Sequence, residues 1–261
     1  MNIVVCLKQV PGTTEVKIDP KTNSLIRQGI PNIINPFDTY ALEEAVRIKE
    51  KHGGKVTVLT MGPPQADAAL REAVSLGADE TILLSDRAFA TADTWATSNT
   101  LAGAIKKISQ YDMIICGRQT VDGDTGQVGP EMAEMLGVPF IAYVSKIEEI
   151  RDKYIRVIRA VEDGHETLEA SLPAVITVAK EINIPRLPSL RGIMKSKSHK
   201  IVTWTNADLG LNPNSVGLNG SSTQVIKVFF PQRVSKAEIL TGEMDKKVET
   251  LIEKLRETKL I

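Results

Sequence analysis

The chain has 261 residues and equal numbers of basic and acidic side chains, 32 of each. Its 42% hydrophobic and 25% charged residues are typical of a globular protein, and no apolar run approaches the roughly 18 residues of a membrane span. Zero net charge argues against a nucleic-acid binder, and the three His and two Cys have no zinc-like spacing, so no metal site is predicted.

The N-terminus predicts a first strand and not a signal peptide; its sequence is M-N-I-V-V-C-L-K-Q-V-P. Its apolar run is too short for a signal peptide and is followed directly by sequence with the pattern of a folded domain. Cys6 and Cys116 both lie in apolar, strand-like runs, so we expect buried, reduced thiols. These features predict a cytoplasmic or similarly reducing location.

Short apolar runs then alternate with longer helical patterns. The predicted strands are Asn2–Leu7, Lys55–Met61, Thr81–Leu84, Asp112–Cys116 and Phe140–Val144. The predicted helices are Thr39–Lys51, Ala66–Leu76, Trp95–Ile108 and Gly129–Leu136. This alternation predicts a doubly wound α/β domain with a mostly parallel sheet covered on both faces.

Other patterns interrupt or follow this alternation. Glu15–Asp19 and Ser24–Gln28 fit an inserted hairpin, and after about Val144 the pattern becomes antiparallel. Residues 183–200 are predicted to be irregular. We expect a domain over residues 1–200 and an arm over residues 201–261. The arm ends in an amphipathic helix, Met244–Lys259, and an arm of this kind typically wraps around a partner subunit.

The antiparallel part has strand-like runs at Lys153–Val161 and Glu166–Leu172, which fit a second hairpin. Ala174–Ala179 is a further apolar run that predicts a strand. These segments add strands to the parallel sheet.

The most informative segment is residues 116–130, C-G-R-Q-T-V-D-G-D-T-G-Q-V-G-P. It lies between a predicted strand and a predicted helix, at the carboxyl edge of the sheet, where open α/β folds bind ligands. Gly123, Gly126 and Gly129 would let the backbone approach a ligand, and the helix start would stabilise a phosphate. The spacing matches neither a G-x-G-x-x-G motif nor a P-loop. A surface turn with helix-capping residues is the alternative.

Two neighbouring segments reach the same edge. In the sequence N-P-F-D at residues 35–38, Asn35 fits an N-cap and Pro36 the first helical position, which a purely structural role also explains. Met61 ends the second core strand. Together with residues 116–130 these segments outline a nucleotide-sized cleft.

A third helix start follows the same edge at A-D-T-W-A-T-S, residues 92–98. Asp93 or Thr94 can cap this helix, and Thr97 and Ser98 would lie within reach of a phosphate or ribose. Ordinary capping explains the same residues.

Residues 183–200 carry five basic side chains and no acidic one, interleaved with apolar residues. Nucleic acid, a protein surface or solvent could face such a segment. Leu190, near Pro185 and Pro188, favours a protein contact, because an exposed apolar side chain gains no favourable interaction from phosphates.

Several blocks in order resemble the β subunit of electron transfer flavoproteins. They are V-V-C-L-K-Q-V-P, N-P-F-D-T-Y-A-L-E-E-A, D-G-D-T-G-Q-V-G-P, L-P-A-V-I-T-V and P-S-L-R-G-I-M-K-S-K. The resemblance implies an adenine nucleotide α-hydrolase-like domain that pairs with an α subunit carrying FAD. Its own cleft would hold FAD in bifurcating members or AMP in simpler ones.

The resemblance also implies roles for particular residues. The cofactor site would comprise Cys6, Asn35, Pro36, Phe37, Asp38, Met61, Gly117, Thr120, Asp122, Gly123, Asp124, Thr125, Gly126, Gln127 and Val128. Residues 85–98 resemble the NADH-docking segment of bifurcating members, which implies that NADH contacts Asp93, Thr94, Thr97 and Ser98. The pattern of that segment has Gly where this chain has Thr91. Partner contacts would be Glu166 to the α subunit, and Leu190, Arg191 and Ile193 to a dehydrogenase.

The resulting hypothesis is a redox subunit that turns over only in a heteromeric complex and has no catalytic side chain of its own. NADH would pass hydride to FAD, and electrons would reach a flavin-dependent dehydrogenase through the α-subunit FAD and also a low-potential acceptor such as ferredoxin. The alternatives are a non-bifurcating β subunit with structural AMP, or a nucleotide-binding signalling module without a redox role.

Overall fold

The computed structural model describes residues 1–12, 17–18, 25–26, 31–227 and 237–261. The chain divides into two units, Met1–Ile226 and Lys227–Ile261. The helices are α1 (Pro36–His52), α2 (Asp67–Leu76), α3 (Thr94–Ile108), α4 (Val128–Leu136), α5 (Leu190–Ser198), α6 (Asn206–Leu209) and α7 (Met244–Glu257). The strands are β1 (Asn2–Cys6), β2 (Gln9–Pro11), β3 (Lys17–Ile18), β4 (Leu25–Ile26), β5 (Asn32–Ile34), β6 (Lys55–Met61), β7 (Glu80–Leu84), β8 (Met113–Gly117), β9 (Phe140–Arg151), β10 (Tyr154–Val161), β11 (Gly164–Ser171), β12 (Ala174–Val178) and β13 (Val202–Trp204).

Nine strands of the first unit form one sheet in the order β11-β10-β9-β12-β8-β1-β6-β7-β13. Neighbours from β9 to β13 in this order run parallel, and β9, β10 and β11 are joined antiparallel at the other edge. The predicted parallel α/β sheet with an antiparallel addition is therefore confirmed.

Helices cover both faces of the parallel part, because its strands are apolar on both sides. On one face, Leu42 and Val46 of α1 and Leu70 of α2 belong to a core cluster with Val5 and Ile115. On the opposite face, the core cluster contains residues of α3 and α4, among them Ile105 and Met132, together with strand residues such as Ile114.

Most predicted elements are found within a few residues of their predicted ends, but the predicted irregular segment 183–200 is irregular only over residues 183–189 and 199–200 and is helical over 190–198. Ser189 accepts a hydrogen bond from the Gly192 amide (3.0 Å) and starts α5, so this part of the prediction was wrong. The physical reason is packing: an added Cβ at Gly192 would clash with the Ser75 carbonyl oxygen, so the glycine lets α5 lie closely on α2.

The structure adds detail at the inserted hairpin and after residue 200. Strands β3 and β4 pair antiparallel, as the hairpin prediction requires, and the rest of that prediction lies outside the described residues. Strand β13 pairs with β7 and so belongs to the main sheet. In the second unit, α7 confirms the predicted C-terminal helix. No helix among the described residues is long and apolar enough to cross a membrane.

Candidate functional site

The sheet changes its winding direction between β1 and β8. These strands are neighbours, with Cys6 opposite Cys116. After β1 the chain enters α1 on one face of the sheet, and after β8 it enters α4 on the other. The connections therefore diverge and leave a crevice at the carboxyl ends of the two strands, which is where doubly wound folds bind ligands.

Asn35 joins the two sides of this crevice. Its side chain is completely buried; its Nδ2 donates to the Gln119 carbonyl (2.9 Å) and its Oδ1 accepts from the Val121 amide (3.1 Å). The expected N-cap hydrogen bond from its side chain is absent, although Pro36 does occupy the first position of α1. The prediction of a capping side chain was wrong because the loop after β8 supplies buried backbone groups that need partners.

Asp38, in the first turn of α1, lies beneath the same loop. Its Oδ2 accepts from the Lys8 amide (2.7 Å), and a Cβ added at Gly117 would clash with its other carboxylate oxygen. Burial raises the pKa of Asp38 to about 7, although the hydrogen bond from Lys8 opposes the shift. The glycine at 117 therefore lets β8 end directly against the start of α1.

Two acidic side chains of the loop are already paired. Lys8 forms an ion pair with Asp122 (2.8 Å), and the Gln119 side-chain amide donates to Asp124. Burial opposes ionisation of Asp122, but the hydrogen bond and charge of Lys8 outweigh it, so the pKa of Asp122 is lowered. Because Lys8 compensates its charge, Asp122 repels an anionic ligand less than a free carboxylate would, whereas Gln119 is uncharged and only orients Asp124.

The loop ends at a helix start with no side-chain cap. Gln127 precedes α4 without capping it, so the first amides of α4 have no such partner. Asp124 and Gly126 have positive φ values (55° and 65°), which turn successive amides of the loop in new directions. Thr125 is exposed between them. This arrangement suits a phosphate group, since amides and the helix dipole both favour an anion.

Cys6 and Cys116 form the floor of the crevice on the α4 side. Both are buried free thiols, as predicted, and Cys6 Sγ lies 4.0 Å from Met132 Sδ. The hydrogen bond with Cys6 and burial raise the pKa of the Cys116 thiol. Both side chains therefore act as small apolar groups here.

Met61 places a further loop beside the crevice. It ends β6, the strand next to β1 on the side away from β8. The Gln9 side chain, just after β1, donates to the Gln65 carbonyl in the loop that follows Met61 (3.1 Å). The loops after β1, β6 and β8 are thus neighbours.

The start of α3 contains the residues predicted to face NADH. Asp93 caps α3 through the Ala96 amide (3.0 Å) and also accepts from the amides of Ser222 and Thr223. Burial opposes ionisation of Asp93, but these amide bonds outweigh it and lower its pKa. Its carboxylate is therefore already fully engaged in holding two segments together.

Helix α3 contacts α4 through two hydroxyl side chains. Thr94 and Ser98 donate to the Glu131 carboxylate (3.1 and 2.9 Å), and Ser98 is completely buried. Thr97 is half-buried and has no side-chain hydrogen bond to a described residue. Of the hydroxyls predicted here, Ser98 orients Glu131, while Thr97 keeps its hydroxyl available.

Thr91, where the resembled pattern has Gly, adopts φ +57°. This is the left-handed region that glycine favours. The backbone thus keeps the glycine-like conformation at this position with a threonine.

Some residues at the crevice were not predicted. The Arg118 guanidinium lies over the rings of Phe37 and Tyr143, 5.4 Å from each centroid, and Tyr143 has φ +56°. Lys8 and Gln119 hold the two loop carboxylates. The sequence offered one signal for these residues, the position of Lys8 just after a predicted strand. The contact of Arg118 with Tyr143 joins residues 25 positions apart, so no local pattern could have predicted it.

The predicted partner-contact residues lie elsewhere on the molecule. Glu166 is exposed on β11 and pairs with Arg159 (2.7 Å). Leu190, Arg191 and Ile193 are exposed on α5. Among the described residues, no group of three or more His, Cys, Asp or Glu side chains is arranged to hold a metal ion.

Comparison with known proteins identifies one family across the chain. A family model for the electron transfer flavoprotein domain matches residues 22–209. The chain is 52% identical to "Electron transfer flavoprotein subunit beta" of Thermoanaerobacterium thermosaccharolyticum, and 50% identical to "Caffeyl-CoA reductase-Etf complex subunit CarD" of Acetobacterium woodii; both matches cover all of both chains. It is 45% identical to "Protein FixA" of Azotobacter vinelandii, over 97% of this chain and 92% of that one.

Proposed function

Because the chain belongs to the electron transfer flavoprotein family as a β subunit, we propose that it binds FAD in the crevice between β1 and β8. Together with its α subunit it takes hydride from NADH. The complex then passes electrons through the α-subunit FAD to a flavin-dependent dehydrogenase, and to a low-potential acceptor such as ferredoxin. The CarD relative belongs to a caffeyl-CoA reductase complex, which supports a reductase or dehydrogenase as the partner here.

The uncapped start of α4 is the observation that carries this proposal. Its free amides lie beside the winding change of the sheet, at the end of a loop that Asn35 fixes by two hydrogen bonds. A loop that served only as a surface turn would not need such fixing from a fully buried side chain. The combination supports a phosphate-containing ligand, as FAD and AMP both are.

Open space beside the loop supports the proposed nucleotide. A Cβ at Gly123 would meet only Thr120 Oγ1 at 3.4 Å, so this side of the loop is open. FAD, when bound, supplies the hydride-accepting and one-electron chemistry that side chains of this chain do not. The chain's own part is to bind through amides, to orient through the Asn35 and Lys8 contacts, and to cover one side of the ligand with Cys6 and Met61.

The start of α3 is proposed to receive NADH. Asp93 holds the backbone of this segment, Ser98 and Thr94 orient Glu131, and Thr97 offers a hydroxyl for a ribose or phosphate. The charged groups of Asp93 and Glu131 are satisfied within the chain, so they support the segment and do not bind NADH directly.

The competing proposal within the same family is a structural AMP and no bifurcation. We expect the complex of the two subunits, purified without added nucleotide, to release two FAD per heterodimer on denaturation. Chromatography with absorbance detection measures this ratio. One FAD together with one AMP would contradict the bifurcation proposal while leaving the crevice as the nucleotide site.

Gly123→Val tests whether the crevice is the site. Its backbone φ is not positive and its added Cβ has space, so the fold should tolerate the change, whereas the side chain would occupy the ligand's volume. We expect at least a tenfold loss of bound nucleotide, with an unchanged unfolding midpoint of the nucleotide-free protein. Asp124→Ala should lower occupancy less, because it removes a single polar contact. Unchanged nucleotide content in both variants would contradict the proposed site.

The partner is identified by co-purification. The tagged complex should retain a flavin-dependent dehydrogenase, which mass spectrometry identifies and which the complex should reduce in the presence of NADH. Retention of a protein that the complex does not reduce would contradict the electron-transfer proposal.

A further inference from the structure

Four large apolar side chains on one segment of the first unit face solvent. Ile184, Leu187, Leu190 and Met194 have exposed fractions of 83, 88, 83 and 73%. We call these four residues the docking ridge. Exposed side chains of this kind contribute almost nothing to the stability of their own chain, and their clustering marks a surface for a partner.

The segment that carries the first half of the docking ridge, Ile184 and Leu187, is held on α1, whereas Leu190 and Met194 lie on α5, which packs on α2. Arg186 donates to Glu43 through Nε (2.8 Å) and Nη2 (3.2 Å), and to Glu50 through Nη1 (2.6 Å) and Nη2 (3.0 Å). The Arg186 amide also donates to Glu43 (3.1 Å). One guanidinium therefore bridges two carboxylates that lie about two turns apart on the helix.

Two further contacts hold the start of the segment. Arg47 donates to the Ile184 carbonyl (3.2 Å), and the Asn183 amide group donates to the Tyr40 carbonyl (3.0 Å) and to Glu44 (2.9 Å). All of these partners lie on α1, the helix whose first turn borders the crevice. The first half of the docking ridge is thus fixed to the same helix that borders the crevice.

Glu43 is the central group of this arrangement. Its side chain is only 4% exposed, and burial opposes its ionisation, but the bonds from Arg186 and Arg47 outweigh burial and lower its pKa. A buried carboxylate needs such partners, because an unpaired one is strongly destabilising. The pair therefore depends on Arg186 remaining in place, and Arg186 lies directly between Ile184 and Leu187.

The charges around the docking ridge point to one kind of occupant. Arg191, Lys197 and Lys200 are exposed and form no ion pair with any residue that the structure describes. Apolar side chains surrounded by uncompensated cations fit a protein surface that has an apolar pocket with an acidic rim. The occupant we assign is the flavin-dependent dehydrogenase of the proposed function, on which this inference rests.

We propose that Arg186 is a positioning residue for this encounter: by bridging Glu43 and Glu50 it holds Ile184 and Leu187, the half of the docking ridge that precedes α5, in their binding conformation before the dehydrogenase arrives. A segment already ordered loses less conformational entropy on binding, so the ordering strengthens association without adding a contact. Arg186 itself need not touch the dehydrogenase.

The test compares Arg186→Gln with the unaltered complex of both subunits. Its partner is the dehydrogenase identified by co-purification. We expect the apparent KM for that dehydrogenase to rise about tenfold while kcat at saturation stays within twofold. Deuterium uptake of a peptide covering residues 184–194 should become faster. Arg186→Lys should restore part of both effects, because it keeps the charge but loses the bidentate geometry.

Lys55→Gln is the matched control. It removes an exposed ion pair with Glu80 (2.9 Å) at the amino end of β6, on the edge of the sheet away from the crevice. It should change neither KM nor deuterium uptake at residues 184–194. Should Arg186→Gln fold poorly, Glu50→Gln removes only the exposed half of the bridge and provides the same comparison.

Leu190→Ala separates this inference from the proposed function. If Leu190→Ala raises KM but Arg186→Gln changes neither KM nor uptake, the positioning role is wrong and the docking role stands. Faster uptake at an unchanged KM would also overturn the positioning role. If Leu190→Ala leaves KM unchanged, the docking role itself is wrong.

Discussion

The crevice and the first half of the docking ridge are both held by side chains of α1 or its N-cap, but they present different groups to solvent: backbone amides in the crevice and apolar side chains on the ridge. At the start of α1, buried Asn35 fixes the loop after β8 and buried Asp38 holds the Lys8 amide, while the first amides of α4 have no side-chain cap. Further along α1, Glu43 and Glu50 fix a segment whose apolar side chains stay free. A small anionic ligand needs directed donors, whereas a protein partner needs ordered apolar surface, and both require a backbone that does not move.

The comparison also separates fixing groups from contact groups. In both regions the central fixing side chains, Asn35, Asp38 and Glu43, are buried and already hydrogen-bonded, while the apolar side chains of the docking ridge and Thr125 of the loop are exposed. Changes to fixing groups should therefore affect stability, and changes to contact groups should affect binding alone.

Asp38 gives the largest expected effect. Its pKa is about 7 in the fold against an ordinary 3.8, so between these pH values the folded chain holds a proton that the unfolded chain has released. Its contribution to stability therefore falls as pH rises from 4 to 7 and is constant above. The free energy of unfolding, relative to Asp38→Asn, should drop by at most roughly 4 kcal/mol over that range. Urea titrations of both proteins at several pH values measure this, and a pH-independent difference would contradict the shift.

Gly117→Ala should cost about 3 kcal/mol of stability, because the new Cβ clashes with the Asp38 carboxylate and lies 2.7 Å from the Phe37 carbonyl carbon. Gly123→Ala is its matched control and should stay within about 0.5 kcal/mol, since its Cβ has space. Chemical denaturation of the two variants gives the comparison. Equal losses would mean that the close approach of β8 to α1 is not a fixing contact.

Asn35→Ala should cost about 2 kcal/mol and also weaken nucleotide binding. The change leaves the Gln119 carbonyl and the Val121 amide without their partner and frees the loop. Titration of the nucleotide-free complex with FAD, followed by flavin fluorescence, measures the affinity. A loss of stability at unchanged FAD affinity would show that Asn35 fixes the fold but not the site.

Leu190→Ala should have the smallest effect on stability, within about 0.5 kcal/mol, because the side chain is 83% exposed. Reduction of the dehydrogenase relative to reduction of an artificial dye should nevertheless fall severalfold. If stability fell instead by more than 1 kcal/mol, Leu190 would belong with the fixing groups.

Local signals in the sequence predicted most of the fold. Apolar strands alternating with amphipathic helices identify a parallel sheet, and Pro36 marks the start of α1 because its missing amide suits that position. The loop at 117–128 was predicted as the site, because a glycine-rich segment between strand and helix falls at the ligand-binding edge.

Local patterns do not predict the role of a side chain whose partner lies far along the chain. Asn35 fits an N-cap in the sequence, yet bonds to residues 84 and 86 positions away. Pro185, Pro188 and Gly192 suggest an irregular segment, yet contact with α2 makes residues 190–198 helical. Local propensity is a fraction of a kcal/mol per residue, so tertiary packing overrides it.

The sequence by itself therefore determined the class of fold, the family and the sheet edge at which a ligand site is proposed, because these follow from periodicity and from blocks of neighbouring residues. Only the tertiary structure decided which side chains hold the backbone in place and which remain available to a ligand or partner. Asn35, Asp38 and Glu43 became fixing groups because folding buried their polar atoms beside partners distant in the chain. Buried polar atoms must be satisfied, and which atoms become buried is decided by the packing of the whole domain.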